Sequence, residues 1–508
     1  MAPLVALMLQ TNAGPSLIAA MSPARRFALI AAALTALRVL TLVFADANLG
    51  PDEAQYWVWS KDLDFGYFSK PPLIAWIIAA TTSLFGDAEW AVRLAAPFFH
   101  LGAALFIFSL SRRLFDGKVA FWSGLGWLLM PGVSFSSALI TTDAPLLFSW
   151  SAALYCFFAL VDARAQAKPA AGLALLLGLA IGLGFLAKYA MIYFFIGAGV
   201  AAALSPEIRR GLRISDAAIA GAAALLLAAP NIWWNAQNEF STIAHTAANA
   251  NWGADMFHPV RLAEFIGSQF GVFGPISFGL LVWGASTLSR GSATTGPDRE
   301  RCLALAAFVA PPLLIVCVQA FLSRAHANWA GVAYPAAMIL VSALAARARL
   351  ELLLKGSAAL HLAAALAFMA VFTHFSLADR VGLSNAVKRL RGWESTGADI
   401  RAAAAGYDAI VVDDRELMAS LLYYARGGPP VVSWNSNGKI DHHFEAFMGF
   451  ETVNAPRALF VNKTADIVAL GGRHAAIAPI GRSVVDLKRG RTRTLYLYGV
   501  DGLEAPPP

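Results

Sequence analysis

The sequence contains few charged residues and few cysteines. Asp, Glu, Lys and Arg make up 14% of the 508 residues, whereas 58% are hydrophobic. This composition excludes an ordinary soluble enzyme of the same size and indicates an integral membrane protein. The three cysteines all lie in or beside apolar segments, which excludes a disulfide framework and a spaced zinc site: Cys156, Cys302 and Cys317.

Several common catalytic motifs are also absent. The sequence has no Gly-rich phosphate loop, no GxSxG and no HExxH, so nothing indicates ATP hydrolysis or serine- or zinc-dependent hydrolysis through these motifs. No organic cofactor is predicted, and the sequence leaves the need for a divalent metal open. The first twenty residues carry no Lys or Arg, which argues against a cleaved signal peptide, and Met21 is an alternative start to Met1.

Long apolar stretches make up most of the first three quarters of the chain. A helix needs about 20 apolar residues to cross the hydrocarbon core, and on that basis about eleven spans are predicted. They lie near 27–46, 92–110, 119–137, 144–161, 171–186, 189–204, 215–231, 264–287, 302–321, 327–345 and 357–375. The apolar stretch 71–86 is shorter, and we interpret it as a helix at the membrane interface.

The basic residues indicate how these spans are oriented. The net charge of +7 comes largely from Lys and Arg in alternate short loops, beginning with Arg25 and Arg26. Positively charged short loops stay in the cytoplasm, so the N-terminus is predicted to be cytoplasmic. The remaining loops, including a first exterior loop at 47–91, then face the other side of the membrane.

The chain changes character after residue 375. "GYDAIVVDDRELMASLLYYARGGPPVVSW" predicts a strand, a helix and a second strand, and "RALFVNK" and "RTLYLYGV" predict further strands. The fold class is therefore a mainly α, polytopic membrane protein with a small C-terminal α/β domain outside the membrane. The predicted division is 1–375 for the membrane domain and 376–508 for the soluble domain.

The first exterior loop concentrates polar and aromatic residues at one membrane edge. Its carboxylates, Asp52 and Glu53, could serve as a general base, bind a cation or remain solvated. Lys70 precedes two prolines that forbid a helix through it, so its ammonium group is directed from the interface. The alternative for Lys70 is snorkelling towards lipid headgroups.

Later exterior loops add further candidates. Asp143 precedes a span, where it could cap the helix or supply a second carboxylate to the site. Lys188 lies at an exterior span end, where a cation either binds substrate or snorkels. "SRAHANW" supplies hydrogen-bonding and stacking groups for substrate binding or interface anchoring: Arg324, His326, Asn328 and Trp329.

Several of these segments together resemble one family. An apolar span followed by "DEAQYW", "YFSKPPL" and "WAVRL" is similar to glycosyltransferases of the GT-C class that use lipid-linked sugars, in the group of protein mannosyltransferases and lipid A aminoarabinose transferases. "FSKPP" and "HANW" most resemble the galacturonosyltransferases of rhizobial lipopolysaccharide. The resemblance is strongest over 48–150 and weaker to about residue 345.

The resemblance implies roles for particular residues. It places Asp52, Glu53 and Asp143 in the active site and assigns the donor phosphate to Lys70. Lys188 and Arg324 are predicted as further phosphate ligands from their places at exterior span ends. Substrate contacts are expected from Tyr56, Tyr67, His326, Asn328 and Trp329. Ser69 stands where aminoarabinose transferases commonly carry a glutamate, which puts any metal or acceptor contact of that glutamate in doubt.

The implied reaction is an inverting transfer of a sugar from a polyprenyl phosphate to a lipid or protein acceptor of the cell envelope. The resemblance implies a bacterial inner-membrane protein whose active site and C-terminal domain are periplasmic. A hydroxyl acceptor would need a base, for which Asp52 is the candidate, and the departing phosphate would need a cation, for which Lys70 is the candidate.

Two other functions remain open from the residues alone. A transporter or lipid flippase would also have many spans, but ionisable residues here lie mostly at span ends, with Arg38 and His100 as exceptions. We expect Arg38 to snorkel outward or to pair with the loop acids. A noncatalytic membrane scaffold would leave the crowded exterior acids and Lys70 unexplained.

Overall fold

The computed structural model describes residues 21–253, 255–291 and 295–504. The prediction about the leader and the alternative start concerns mainly residues outside these ranges. The chain divides into two compact units. The first comprises Pro71–Ile74, Arg93–Met369 and the chain up to Thr41, and the second comprises Leu42–Lys70, Ala75–Val92 and the chain from Ala370 onward.

Helices account for most of the first unit, and the second unit combines helices with a sheet. Their bounds in chain order are Pro23–Val43, Pro51–Trp59, Leu73–Phe85, Glu89–Arg93, Ala95–Leu114, Gly117–Leu129, Pro131–Ser136, Asp143–Ala165, Ala171–Ala187, Tyr193–Leu204, Pro206–Gly211, Ile214–Gln237, Ser241–Ala248, Pro259–Val272, Pro275–Ser289, Gly296–Leu322, Tyr334–Arg347, Glu351–Thr373, Phe375–Arg380, Ser384–Val387, Trp393–Ala403, Arg415–Tyr424 and His443–Phe447. Short 3₁₀ helices lie at Tyr189–Ile192, Ala327–Ala333, Lys388–Leu390, Phe450–Thr452 and Val468–Leu470.

Seven helices in the described ranges are long and apolar enough to cross a membrane: Pro23–Val43, Glu89–Leu114, Asp143–Ala165, Ile214–Gln237, Gly296–Leu322, Ala327–Arg347 and Glu351–Thr373. Shorter apolar helices occupy other predicted spans, including Ala171–Ala187 and Tyr189–Leu204. The mainly α membrane fold is therefore confirmed, and the number of eleven spans stays a prediction. Leu73–Phe85 has only 13 residues, in keeping with its interpretation as too short to span.

The predicted span 264–287 is wrong as a single helix. It is broken into Pro259–Val272 and Pro275–Ser289, which are bent by 115°. Gly274 lies between them with a φ of +92°, a conformation that side chains of L-residues disfavour. A Cβ at Gly274 would also lie 1.8 Å from Nε2 of His361. Glycine is therefore required at this break both by its backbone conformation and by the close approach of the neighbouring helix.

Arg38 does not behave as expected from the sequence. It is 4% exposed, and its guanidinium donates to the backbone carbonyl of Leu128 and lies 3.4 Å from Oγ of Ser134. Both the predicted snorkelling and the predicted pairing with the loop acids are therefore wrong. Leu128 is near the end of the helix Gly117–Leu129, where carbonyl groups lack helical partners, and Arg38 satisfies one of them.

The C-terminal part of the second unit is built on a five-stranded sheet. Its strands are β1 (Ala409–Val412), β2 (Val431–Ser433), β3 (Arg457–Asn462), β4 (Ala476–Asp486) and β5 (Thr492–Asp501). The strand order is β2-β1-β3-β5-β4, with β1 parallel to β2 and β3, and β5 antiparallel to β3 and β4. The predicted α/β domain is confirmed, and β4 is the strand that sequence analysis missed.

Most of the predicted first exterior loop belongs to this same second unit, within Leu42–Lys70 and Ala75–Val92, whereas Pro71–Ile74 belongs to the first unit. Its helix, Pro51–Trp59, packs on the helix Arg415–Tyr424, with the rings of Trp57 and Tyr423 edge to face at 4.8 Å. The backbone N–H of Leu49 donates to the hydroxyl of Tyr424 over 2.5 Å. This part of the loop and the sheet region therefore lie in one compact unit, and the predicted division at residue 376 stays a prediction.

An aromatic cluster encloses His443 within the second unit. Its ring lies 5.4 Å from Trp59, 5.9 Å from Tyr67 and 4.8 Å from Phe447, measured between ring centroids. Burial among these rings, with a smaller effect of the adjacent His442, lowers the pKa of His443 from 6.5 to about 3. The imidazole is therefore neutral at physiological pH.

We expect His443 to make the protein less stable in mild acid. Its pKa is lower in the folded than in the unfolded state, so its contribution is complete above pH 6.5 and declines as the pH falls towards 3. The loss at pH 5 should be about 2 kcal/mol. Thermal unfolding of the full-length protein in detergent at pH 7.5 and pH 5, followed by tryptophan fluorescence, measures it.

His443→Phe keeps an aromatic ring in the cluster and should remove this part of the acid sensitivity. His374→Phe is the matched control, since the His374 side chain is 65% exposed. Equal acid sensitivity of the parent, His443→Phe and His374→Phe would contradict the prediction.

Candidate active site

The helix Pro51–Trp59 carries the two predicted acids in its first turn, but it exposes them differently. The Glu53 carboxylate accepts a hydrogen bond from the backbone N–H of Gly50 over 2.9 Å, which satisfies a donor at the helix start. Glu53 is 4% exposed, whereas the side chain of Asp52 is 61% exposed. Glu53 therefore stabilises the start of the helix, and Asp52 is the acid that is accessible to another molecule.

Asp52 is held by a residue from a distant part of the same unit. Nη1 of Arg415 lies 3.0 Å from Oδ1 of Asp52 and 2.6 Å from Oε1 of Gln55. Arg415 is the first residue of its helix and follows Asp414, whose carboxylate caps that helix through the N–H of Leu417. The guanidinium thus approaches Asp52 from a fixed helix end.

Sequence analysis missed both Arg415 and Gln55. Gln55 had a usable signal, because it lies in "DEAQYW" three residues after Asp52, on the same side of the helix. Arg415 had none, since it lies 363 residues from Asp52 and its neighbours indicate only a strand-to-helix junction.

The predicted substrate residues Tyr56 and Tyr67 are both buried in the loop. Tyr67 is 3% exposed, and its ring stacks on Trp59 with 4.6 Å between centroids. Its hydroxyl lies 3.0 Å from the carbonyl oxygens of Trp59 and Asp62, and burial raises its pKa to about 12. Tyr56 is 7% exposed and packs at 5.4 Å against Trp59. The structure gives these tyrosines a supporting place in the loop core.

Lys70 lies outside any helix, as the following prolines predict. Its backbone forms an antiparallel bridge with Tyr67, with N to O distances of 3.1 and 3.3 Å across the turn. The next helix begins at Leu73, after Pro71 and Pro72. Because Tyr67 is fixed by its stacking and its hydroxyl contacts, the bridge fixes the backbone from which the Lys70 side chain leaves.

In the first unit, Asp143 makes direct contacts with two predicted site residues. Nζ of Lys188 lies 2.7 Å from Oδ1, and Nδ2 of Asn328 donates to Oδ2 over 2.6 Å. The side chains of Asp143 and Lys188 are 16% and 26% exposed. The helix Asp143–Ala165 has Thr142 at its N-cap position, so the prediction that Asp143 is the cap residue is wrong.

Lys188 and Asn328 reach Asp143 because each lies at an irregular point of the backbone. Lys188 is the extended residue between the helix Ala171–Ala187 and the 3₁₀ helix Tyr189–Ile192. Asn328 belongs to the 3₁₀ helix Ala327–Ala333, which precedes the α-helical part of the predicted span 327–345. The arrangement brings together an acid, a cation and an amide from three separate segments.

The other predicted residues of "SRAHANW" differ in their exposure. Arg324 and His326 are exposed, and the His326 ring lies edge to face with Trp329 at 5.3 Å. Trp329 is half-buried against an apolar cluster that includes Phe265 and Ala330. The exposed groups Arg324 and His326 are thus free of the apolar core, whereas Trp329 also anchors the segment.

Among the residues described by the structure, no group of three or more His, Cys, Asp or Glu side chains is arranged to hold a metal ion. The question of a metal therefore stays where the sequence left it.

Comparison with known proteins gives consistent matches. The family described as "Dolichyl-phosphate-mannose-protein mannosyltransferase" matches residues 69–234. A lipid A galacturonosyltransferase of Rhizobium johnstonii is 38% identical over 414 residues, covering 80% of this chain and 84% of that protein. The undecaprenyl phosphate-alpha-4-amino-4-deoxy-L-arabinose arabinosyl transferase of Edwardsiella ictaluri is 34% identical over 154 residues, 27% of each chain.

A solved structure also matches almost the whole chain. The crystal structure of ArnT from Cupriavidus metallidurans bound to undecaprenyl phosphate has a TM-score of 0.65 at 17% identity, covering 95% of this chain and 99% of that one. This similarity shows a shared fold.

We expect a double-mutant cycle to detect coupling between Asp143 and Lys188. Asp143→Asn, Lys188→Met and the double variant should give an interaction energy of about 1 to 2 kcal/mol, because the pair is shielded from water on most sides. Thermal unfolding of the full-length protein in detergent measures each variant.

The control cycle uses Lys118→Met and Glu351→Gln, an ion pair whose side chains are 53% and 34% exposed. Its coupling should be below about 1 kcal/mol. A coupling for Asp143 and Lys188 no larger than that of the control pair would contradict the prediction that partial burial strengthens this pair.

Proposed function

We propose that this chain, which belongs to the family of membrane glycosyltransferases that includes the lipid A galacturonosyltransferase, transfers a uronic acid from a polyprenyl-phosphate donor to a glycolipid of the bacterial envelope. The similarity to that enzyme over most of both chains carries the proposal. It favours transfer over the alternative of a transporter or flippase. The family and the GT-C fold predicted from "DEAQYW", "YFSKPPL" and "WAVRL" are confirmed.

The donor defines what the protein must stabilise. When the anomeric bond to phosphate breaks, the leaving group carries negative charge from the start, so a cation is needed there and a general acid is not. We assign this role to Lys70. Its backbone is fixed by the bridge to Tyr67, so the side chain that carries the ammonium group extends from a defined backbone position. A defined position favours preorganised electrostatic stabilisation.

The acceptor hydroxyl must lose a proton as its oxygen bonds to the anomeric carbon. We assign proton removal to Asp52, because its carboxylate is exposed and oriented by Arg415, whereas Glu53 is buried and holds the helix start. Attack opposite to the departing phosphate inverts the anomeric centre in a single step. If the acceptor oxygen belongs to a phosphate, it is already nucleophilic, and Asp52 orients it.

In the first unit we assign a separate role to Asp143 and its contacts. Lys188 and Asn328 fix the Asp143 carboxylate, and we propose that these three residues contact polar groups of a substrate. Arg324 and His326, which are exposed and precede Asn328 in the chain, are further candidates for contacts with an anionic or hydroxyl group of the substrate. Trp329 is proposed to support this segment.

The protein is a multi-pass membrane protein. We further propose that the N-terminus is cytoplasmic and that Asp52, Lys70 and the C-terminal sheet are periplasmic. The bias of basic residues towards alternate loops supports this orientation.

Replacement of Asp52 by asparagine should abolish most of the sugar transfer. General-base catalysis contributes about 10²- to 10⁴-fold to a rate, so Asp52→Asn should lose activity in that range while the protein still inserts and folds. Mass spectrometry of envelope glycolipids from a deletion strain carrying the parent or the variant gives the sugar and the acceptor. Transfer by purified protein gives the rate.

Asp62→Asn is the matched control, because Asp62 lies in the same loop with an exposed side chain. It should retain transfer. An unchanged glycolipid profile in the deletion strain, with an accumulated lipid carrier, would instead identify a transporter.

A further inference from the structure

A cavity of about 310 Å³ lies within the second unit and is lined by more cations than anions. Lys388, Arg389, Lys463 and Arg493 face it, whereas Glu416 is the acidic residue in its lining. Pro51, the first residue of the helix that carries Asp52, also lines the cavity. No role for this cavity follows from the transfer chemistry assigned above.

Two of the four cations are already neutralised by protein groups. Arg389 lies 2.5 Å from Oε1 of Glu416, and Lys463 lies 2.7 Å from Oδ1 of Asp414. For Lys388 and Arg493, no described carboxylate lies within 4.0 Å. Among the described residues, the cavity therefore retains two positive charges without a counter-ion at ion-pair distance.

Arg493 is a fixed cation in this cavity. Its guanidinium carbon lies 3.5 Å from the centroid of the Trp393 ring, and Nη1 donates to Oγ1 of Thr396 over 3.2 Å. Burial lowers its pKa to about 10, so it remains protonated at neutral pH. A guanidinium has five N–H donors, and the described residues account for one hydrogen bond, so the others suit an oxyanion.

We propose that this cavity binds an oxyanion group, a phosphate or a sugar carboxylate, of the glycolipid acceptor. The inference rests on the proposed function and adds an acceptor-docking site to it. Planar guanidinium groups recognise both oxyanions through paired hydrogen bonds.

The position of the cavity explains why its occupant would be the acceptor. Glu416 lines the cavity and directly follows Arg415, the residue that holds Asp52. Pro51 also lines the cavity and directly precedes Asp52. An acceptor anchored in the cavity by its charge would thus be held beside the helix that carries the proposed base.

The test measures glycolipid binding to the full-length protein in nanodiscs of zwitterionic lipid. Lys388→Gln combined with Arg493→Gln should weaken binding of an acidic lipid A–core glycolipid about tenfold or more, because two charge-assisted contacts are lost. Lys439→Gln combined with Arg482→Gln is the control, since both side chains are exposed and outside the cavity lining. The control should bind like the parent.

Single variants separate charge from folding. Lys388 is exposed, so Lys388→Gln should fold normally and still weaken binding severalfold. Arg493→Lys keeps the charge and should bind better than Arg493→Gln. Normal affinity in a folded Lys388→Gln, Arg493→Gln double variant would overturn the proposal.

Chemical treatment of the glycolipid identifies the oxyanion. If removal of its phosphates reduces binding to the parent protein and abolishes the difference from the double variant, the group is phosphate. If reduction of its carboxyl groups has these two effects on binding instead, the group is a sugar carboxylate. Undecaprenyl phosphate is tested in parallel, and a double variant that loses this lipid but keeps the glycolipid would overturn acceptor binding at the cavity.

The Asp52→Asn variant distinguishes the two proposals. It should bind the acidic glycolipid like the parent but fail in transfer. If the parent transfers sugar but the Lys388→Gln, Arg493→Gln double variant binds the glycolipid as tightly as the parent, the proposed docking site is wrong and the proposed reaction stands. If the parent binds the glycolipid in a way that depends on Lys388 and Arg493 but transfers no sugar, the proposed reaction is wrong and the docking site stands.

Discussion

The contact of Arg415 with Asp52 and Gln55 is the interaction on which the position of the proposed base depends. An exposed carboxylate on a short helix would otherwise rotate among several conformations, and its effective position relative to a reacting hydroxyl would be poorly defined. Arg415 removes this freedom from the end of a helix that is itself anchored. Tyr423 of that helix packs on Trp57, and Tyr424 accepts the N–H of Leu49. The loop is thus attached on both sides of Asp52.

The same principle applies to Asp143 in the first unit, with different partners. Its two oxygens are each occupied by a donor, one charged and one neutral. Partial burial strengthens these contacts relative to those of a fully exposed pair, because fewer water molecules compete for the carboxylate. Asp52 and Asp143 were both predicted as catalytic acids. In the structure the Asp52 carboxylate is largely exposed, whereas both carboxylate oxygens of Asp143 accept hydrogen bonds from protein donors.

Much of the fold could be predicted because it follows from local patterns. Long apolar runs indicated the membrane helices, short apolar runs indicated β1, β2 and β3, and alternating residues indicated β5. β4 was missed because Pro479 and Gly481 interrupt its pattern. The sheet tolerates them because β4 is an edge strand with an irregular pairing at that point. The bend at Gly274 had a local signal in the Gly274–Pro275 pair, which favours a break, but the long apolar run around it was given more weight.

The sequence by itself determined the class of the protein, the apolar helices, the exterior position expected for Asp52, Lys70 and Asp143, and the resemblance to a glycosyltransferase family. These properties depend on composition, on short motifs and on periodicity. The tertiary structure decided which acid is exposed, which tyrosines are buried and which cations remain without a counter-ion. Those outcomes depend on contacts between segments such as Asp52 and Arg415, separated by 363 residues, because packing in three dimensions, and no local pattern, selects such partners.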